Sequence, residues 1–141
     1  MNRSKTREET FKLLYSIQLI EDSDVNEQIE LYLNEEEIID KEATKYIKDV
    51  INGIKENEDN IIKQIEENIK DGWTISRISK VDLTLLKLGI FEILYSKLPY
   101  KVVINEVVEL AKKYGDDNSK SFVNGELASI VKKNNIIDDE V

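Results

Sequence analysis

The sequence predicts an all-α fold, a bundle of about six to seven helices in two subdomains sharing a core, from the period of its apolar residues. Three observations carry this. One Pro and five isolated Gly in 141 residues are too few for a turn-rich β fold. Ile, Leu, Lys and Glu dominate, which suits helices of moderate length. Apolar residues recur three and four apart through most of the chain. The length allows one domain or two small subdomains, and the division is expected at 1–72 and 73–141.

Ser4 is the expected cap of a first helix running to about Ile20, with Phe11, Leu14, Ile17 and Gln18 as its stripe and Leu13 and Ile20 widening it. Tyr15 lies at the stripe's margin, where the ring packs and the hydroxyl stays wet. Glu21-Asp22-Ser23-Asp24 ends this helix and caps the next, which Val25, Ile29, Tyr32 and Leu33 mark. Asp40 opens the longest run: Ala43, Ile47, Val50, Ile54, Ile61, Ile65 and Ile69. That single stripe predicts one helix, bent within Lys55–Asn60, with a break into two helices as the alternative. Asp71-Gly72 ends it.

Val81–Tyr95 is apolar nearly all round and is the expected buried helix of the second half, with Gly89 permitting a close crossing. Pro99 punctuates, and Ile104–Leu127 reads as a helix, a turn and the first half of a last helix. Gly115 is placed where a left-handed cap is needed, and Asp116, Asp117 and Asn118 are N-cap types. Asn105 and Asn124 interrupt the packing pattern and are expected to be buried amides, hydrogen-bonded so as to fix this hairpin on its neighbours. The tail from Asn134 to Val141 reads as acidic and frayed.

Charge and composition exclude more than they assign. The net charge of −9 is uneven: residues 1–20 carry +2, residues 21–72 carry −11 and residues 73–141 balance. A broad nucleic-acid-binding face is excluded and a local basic patch is not. There is no Cys and no His, hence no disulfide, thiolate, imidazole base or nitrogen ligand for zinc. Ser119 and Ser121 therefore lack a histidine base. The isolated glycines make no phosphate cradle. Asp116-Asp117-Asn118-Ser119 lacks the spacing, central Gly and distal Glu of a calcium loop and is read as capping. Glu35-Glu36-Glu37 and Glu66-Glu67 read as solvated surface. The expectation is no enzyme, no metal and no cofactor. No apolar run approaches the roughly 20 residues a membrane helix requires, and the chain starts on charged residues, so a cytoplasmic protein is expected.

Three ordered segments carry a resemblance. They are Arg7-Glu8 with Leu14-Tyr15; Trp73-Thr-Ile-Ser-Arg-Ile with Val81-Asp82 and Phe91-Glu92-Ile93-Leu94; and Pro99 through Gly115 with Ser121-Phe122-Val123-Asn124-Gly125. Across nearly its whole length the chain resembles the NusB family of bacterial transcription antitermination factors. The resemblance implies a single NusB-like all-α domain of two helical subdomains. It implies binding to the boxA element of nascent ribosomal RNA together with NusE, a small-subunit ribosomal protein, within a complex of Nus factors and RNA polymerase. It implies that Arg3, Lys5 and Arg7 contact RNA, that Tyr15 and Phe122 stack on bases, and that Asn118 and Lys120 stand beside them on the hairpin turn. Asp82 matches an acidic position on the NusE-facing side. The family's fuller form has a denser arginine run; Asn2, Ser4 and Thr6 interrupt it here, which lowers the number of phosphate contacts and flattens the salt dependence.

Read from the residues alone, each of these has a plainer alternative. Arg3, Lys5 and Arg7 are also an ordinary charged terminus, Phe122 and Tyr15 also core, and Asp82 also a charge at a helix N-terminus. The alternative function is a helical protein-interaction scaffold with little or no RNA binding of its own. Oligomeric state stays open, a homodimer that masks the basic end included.

Overall fold

The computed structural model describes residues 1–20 and 24–137. Seven α-helices and one 3-10 turn make up the regular structure, with no strand among the described residues. They are α1 (Arg3–Leu19), α2 (Val25–Glu35), α3 (Lys41–Glu56), α4 (Glu58–Asn68), the 3-10 turn Ile75–Arg77, α5 (Lys80–Leu94), α6 (Tyr100–Tyr114) and α7 (Ser119–Lys133). The all-α expectation holds.

The chain divides into two compact units, Met1–Glu56 and Asn57–Val141. The boundary lies at the end of α3, so α4 belongs with the second unit and not, as expected, with the first. The long periodic run is accordingly two helices, α3 and α4, separated at Asn57. Asn57 has φ −110 and ψ 18 and offers no side-chain cap, yet its carbonyl still accepts from the Ile61 N–H at 3.0 Å. That bond is the first of α4, and the apolar spacing runs on across the one-residue interruption.

In the first unit α1 packs on α2 and α3, and α2 on α3. Phe11, Leu13 and Leu14 of α1, Ile29 and Leu33 of α2, and Ile47, Val50, Ile51 and Ile54 of α3 are buried. Asp24 caps α2 by accepting from the N–H groups of Asn26 and Glu27 at 3.0 and 3.2 Å. Residues 21–23 of the expected capping stretch lie outside the described residues. Asp40 caps α3 in the same way, from Glu42 and Ala43 at 2.9 and 3.3 Å. Its other oxygen meets the N-terminal amine at 3.0 Å, and these bonds, that to the amine foremost, hold its pKa below the ordinary carboxylate value. The cap of α1 is Asn2, which accepts from the Lys5 N–H at 2.8 Å, and not Ser4. The helix thus starts two residues earlier than expected, and Thr6 to Thr10 are all buried along it. Thr6 and Thr10 satisfy their hydroxyls by donating to the carbonyls of Asn2 and Thr6 at 2.9 and 2.8 Å.

In the second unit α5 packs against α4, α6 and α7. Leu85, Leu86, Leu88 and Ile90 are fully buried, as an all-round apolar helix requires. Even its Lys87 is buried, its ammonium held 2.6 Å from Glu58 of α4. Ser79 caps α5 by accepting from the Asp82 N–H at 3.1 Å. A Cβ on Gly89 would lie 2.9 Å from Leu127 Cδ1, so glycine lets α5 and α7 approach as the sequence predicts. Polar bonds tie α7 to α4: Ser129 to Asn68 at 2.8 Å and Asn134 to Gln64 at 3.0 Å. Of the expected frayed tail, residues 138–141 lie outside the described residues.

Two expectations for the hairpin are corrected. Gly115 is not left-handed: its φ is −91 and its ψ −173, extended backbone open to any residue. What excludes a side chain is space, since a Cβ there would lie 2.3 Å from Ser119 Oγ and 2.8 Å from the Ala111 carbonyl. Asn105 and Asn124 are exposed, not buried. Each sits one position beyond an inward residue, Ile104 and Val123, on faces the neighbouring helices leave uncovered.

Candidate nucleic-acid interface

The first unit contributes the basic terminus, and the structure treats its three cations differently. Arg3 is exposed, and its guanidinium lies over the Tyr46 ring, 4.4 Å from the centroid. The stacking orients the group without neutralising it. Lys5 is exposed but reaches Glu9 at 3.1 Å and Glu8 at 3.5 Å, and the bond and charge of Glu9 raise its pKa. Arg7 is only 2% exposed. At that burial its guanidinium belongs to the interior of the folded chain, and a phosphate would reach it only after α1 repacked, which corrects the expectation of direct contact. The physical cause is the packing of α1 on α2 and α3, which covers the side of the helix that carries Arg7.

Glu9 organises the residues around Lys5. Burial works against its charge, but the Tyr32 hydroxyl donates to it and Lys5 and Lys12 stand at 3.1 and 3.8 Å. Together these overcome the burial and hold its pKa below the ordinary value of 4.5. Tyr15 is half-buried, its ring 6.2 Å from that of Phe11 and tilted by 33°. It keeps the marginal position that the sequence predicts, partly packed and partly open.

The second unit contributes the turn between α6 and α7. Asp116 builds it: its carboxylate accepts from the Asn118 N–H at 2.8 Å, and its own N–H donates to Ser119 Oγ at 3.0 Å. Capping is therefore done by Asp116 and Ser119 in exchange, while Asn118 makes no side-chain cap bond and stays exposed. Lys120 is exposed and makes no ion pair among the described residues. Phe122 is half-buried and its ring stacks on Trp73, centroids 6.3 Å apart and planes 25° from parallel. Asn118 and Phe122 lie four positions apart on one side of the helix start, with Lys120 two positions from each, and the fold adds a tryptophan that sequence periodicity does not flag. Trp73 sits between α4 and α5, outside any apolar stripe, so only the fold reveals its partner.

Asp82, the candidate partner contact, is 8% exposed, and its Oδ1 is buried with no hydrogen-bond partner among the described residues. An acidic surface group it is not. It is an acceptor in the first turn of α5 that the described residues leave unmatched. Elsewhere, an open groove of about 960 Å³ between α2 and α3, lined by Leu33, Ile38 and Ile39 with Lys41, Lys45 and Lys48, contains none of the expected site residues. No group of three or more acidic, His or Cys side chains among the described residues is placed to hold a metal. No helix among them is long and apolar enough to cross a membrane.

Comparison with known proteins covers both units. Residues 4–132 match the NusB family. The transcription antitermination protein NusB of Clostridium novyi is 41% identical over 137 residues, spanning 94% of this chain and 99% of that one. A NusB structure from T. maritima superposes with a TM-score of 0.87 at 36% identity, covering 94% and 92% of the two chains. A structure of antitermination factors NusB and NusE in complex with dsRNA matches with a TM-score of 0.84 at 29% identity, covering 93% and 96%.

Proposed function

The chain belongs to the NusB family, and from that premise we propose that it is a transcription antitermination factor that binds boxA RNA of nascent ribosomal transcripts together with NusE. The observation that carries the reading is the match of the whole fold to a NusB that assembles with NusE and RNA. The reading extends to work in the cytoplasm within a complex of Nus factors and RNA polymerase, and to an adaptor role that asks for no catalytic group or cofactor.

The proposed RNA contacts are Arg3, Lys5 and Tyr15 from the first unit and Asn118, Lys120 and Phe122 from the second. Cations bind phosphates, and half-open aromatic rings hold unpaired bases. Arg7, buried in α1, serves the packing of the first unit. The unmatched Oδ1 of Asp82 suits a donor supplied by NusE, since a buried acceptor without a partner is costly and a bond from outside removes that cost. The acidic block of residues 21–72 suits a basic ribosomal protein.

Labelled boxA RNA titrated with the chain, against a scrambled RNA and with and without NusE, tests this. The expected result is weak selective binding that NusE tightens. Equal affinity for both RNAs with no gain from NusE would sink the proposal.

A second reading, a protein-binding scaffold without RNA affinity of its own, draws on the burial of Arg7 and the pairing of Lys5 with Glu9. It expects Arg3→Ala with Lys5→Ala to leave RNA association unchanged while NusE still binds. Loss of RNA binding in that double variant decides against it.

A further inference from the structure

Trp73 is the chain's sole tryptophan, it is 46% exposed, and it stacks on a residue already placed at the RNA-facing turn. An indole half in water, resting on a phenyl ring, is a large apolar surface that the fold leaves uncovered. Beside it lies an anomaly in α7. Gly125 is helical, exposed and three residues beyond Phe122, so it shares that face of the helix. A Cβ added there would meet nothing within 4 Å, and its backbone is ordinary helix. Nothing inside the chain calls for glycine, and a helix interior disfavours it. The bare turn leaves open space on the face of α7 that carries Phe122, where a planar group can come close to the backbone.

We propose that Trp73, Phe122 and the bare turn at Gly125 form a stacking subsite for one unpaired RNA base. The proposal rests on the RNA-binding reading above and adds Trp73 and Gly125 to it. Unpaired cations close by in sequence, for which an apolar protein side chain has no use, point to a nucleotide as the occupant. Lys70, Arg77 and Lys120 lie within a few residues of the two rings in sequence, all are exposed, and none makes an ion pair among the described residues. Asp71 and Asp117 stand among them, and Asp116 is engaged in the turn. In a chain of net charge −9 this stretch balances its three cations against three carboxylates, and the cations, free of ion pairs among the described residues, are available to the phosphates on either side of a stacked base. Trp73 supplies the open π-face, Phe122 holds the indole in place, and Gly125 gives the base edge room.

The sole tryptophan makes the test direct. The full chain is titrated with boxA RNA, following Trp73 emission and, in parallel, the anisotropy of end-labelled RNA. The expected result is quenching that saturates at the affinity the anisotropy reports. Trp73→Ala weakens binding roughly 5- to 150-fold, the range for loss of one base–aromatic stack. Trp73→Phe retains most of the affinity, and Gly125→Leu, which fills that open space, loses it while raising the thermal midpoint. Anisotropy that reports binding while Trp73 emission stays constant, with Trp73→Ala binding like the parent, overturns the subsite and leaves the RNA reading standing. Absence of RNA binding by anisotropy overturns both. Quenching by NusE alone, with none from RNA, assigns the surface to protein and overturns the proposal.

Discussion

Replacing Glu126 by glutamine should stabilise the protein at neutral and higher pH and not at pH 4.5. Glu126 lies in α7, 9% exposed, with its Oε2 buried and unpartnered among the described residues. Burial raises its pKa from 4.5 to about 7. The unfolded chain releases this proton near 4.5, whereas the folded chain keeps it until about 7. Between those values the unfolded state binds fewer protons, so stability falls as pH rises, and the fall is complete above about 7. The interval of about 2.5 units at 1.36 kcal/mol each sets a ceiling of about 3 kcal/mol. Glutamine has the same shape and no titration, so any fixed cost of its amide is pH-independent and cancels in the slope. Urea unfolding of parent and Glu126→Gln at several pH values between 4.5 and 8 measures the gap between them. It should widen with pH in favour of the variant, by up to about 3 kcal/mol. Parallel pH profiles would show that the carboxyl is solvated or paired in solution and would refute the reasoning.

Three further outcomes follow from other parts of the structure. Gly115→Ala forces a Cβ to 2.3 Å from Ser119 Oγ and should cost about 1–3 kcal/mol, read as a lowered midpoint in thermal unfolding. Tyr32→Phe removes the hydroxyl that donates to Glu9 and should cost about 1–3 kcal/mol at pH 7. Because Glu9 is held below its ordinary 4.5, its contribution is complete above that value and is lost on further acidification, so the Tyr32→Phe deficit should shrink there in urea unfolding. Arg3→Ala should weaken RNA binding and lower the slope of log K against log salt by about 0.7, one single-strand phosphate contact, in titrations at several salt concentrations.

The helices were legible because an amphipathic helix repeats its apolar residues every three or four positions, as α2, α3, α4 and α6 do, and because α5 is apolar nearly all round. The caps at Asp24 and Asp40 were legible for a related reason, since a carboxylate before an apolar run bonds the next free N–H groups. What failed was decided outside the local apolar pattern. The α3–α4 interruption keeps the apolar period, so the pattern places it within Lys55–Asn60 but leaves one bent helix and two helices both open. Gly115 is selected by the later Ser119 side chain and not by its own backbone angles. Asn105 and Asn124 face outward because α6 and α7 are covered on fewer sides than a regular apolar stripe suggests. Within the candidate site, Lys120, Asn118 and Phe122 were readable from the hairpin and the family pattern. The burial of Arg7 and the Trp73–Phe122 stack were not, because both depend on segments far apart in sequence.

Adaptor function is a statement about coupling, and coupling is reciprocal: NusE must raise the affinity for boxA RNA by the same factor by which boxA RNA raises the affinity for NusE. Both factors can be measured in one buffer, by titrating labelled RNA with the chain at saturating and zero NusE, then labelled NusE with the chain at saturating and zero RNA. The account predicts two equal factors, within the roughly 5- to 150-fold range of ordinary allosteric coupling, and none with scrambled RNA. Factors of one for boxA RNA, with NusE binding intact, would contradict it.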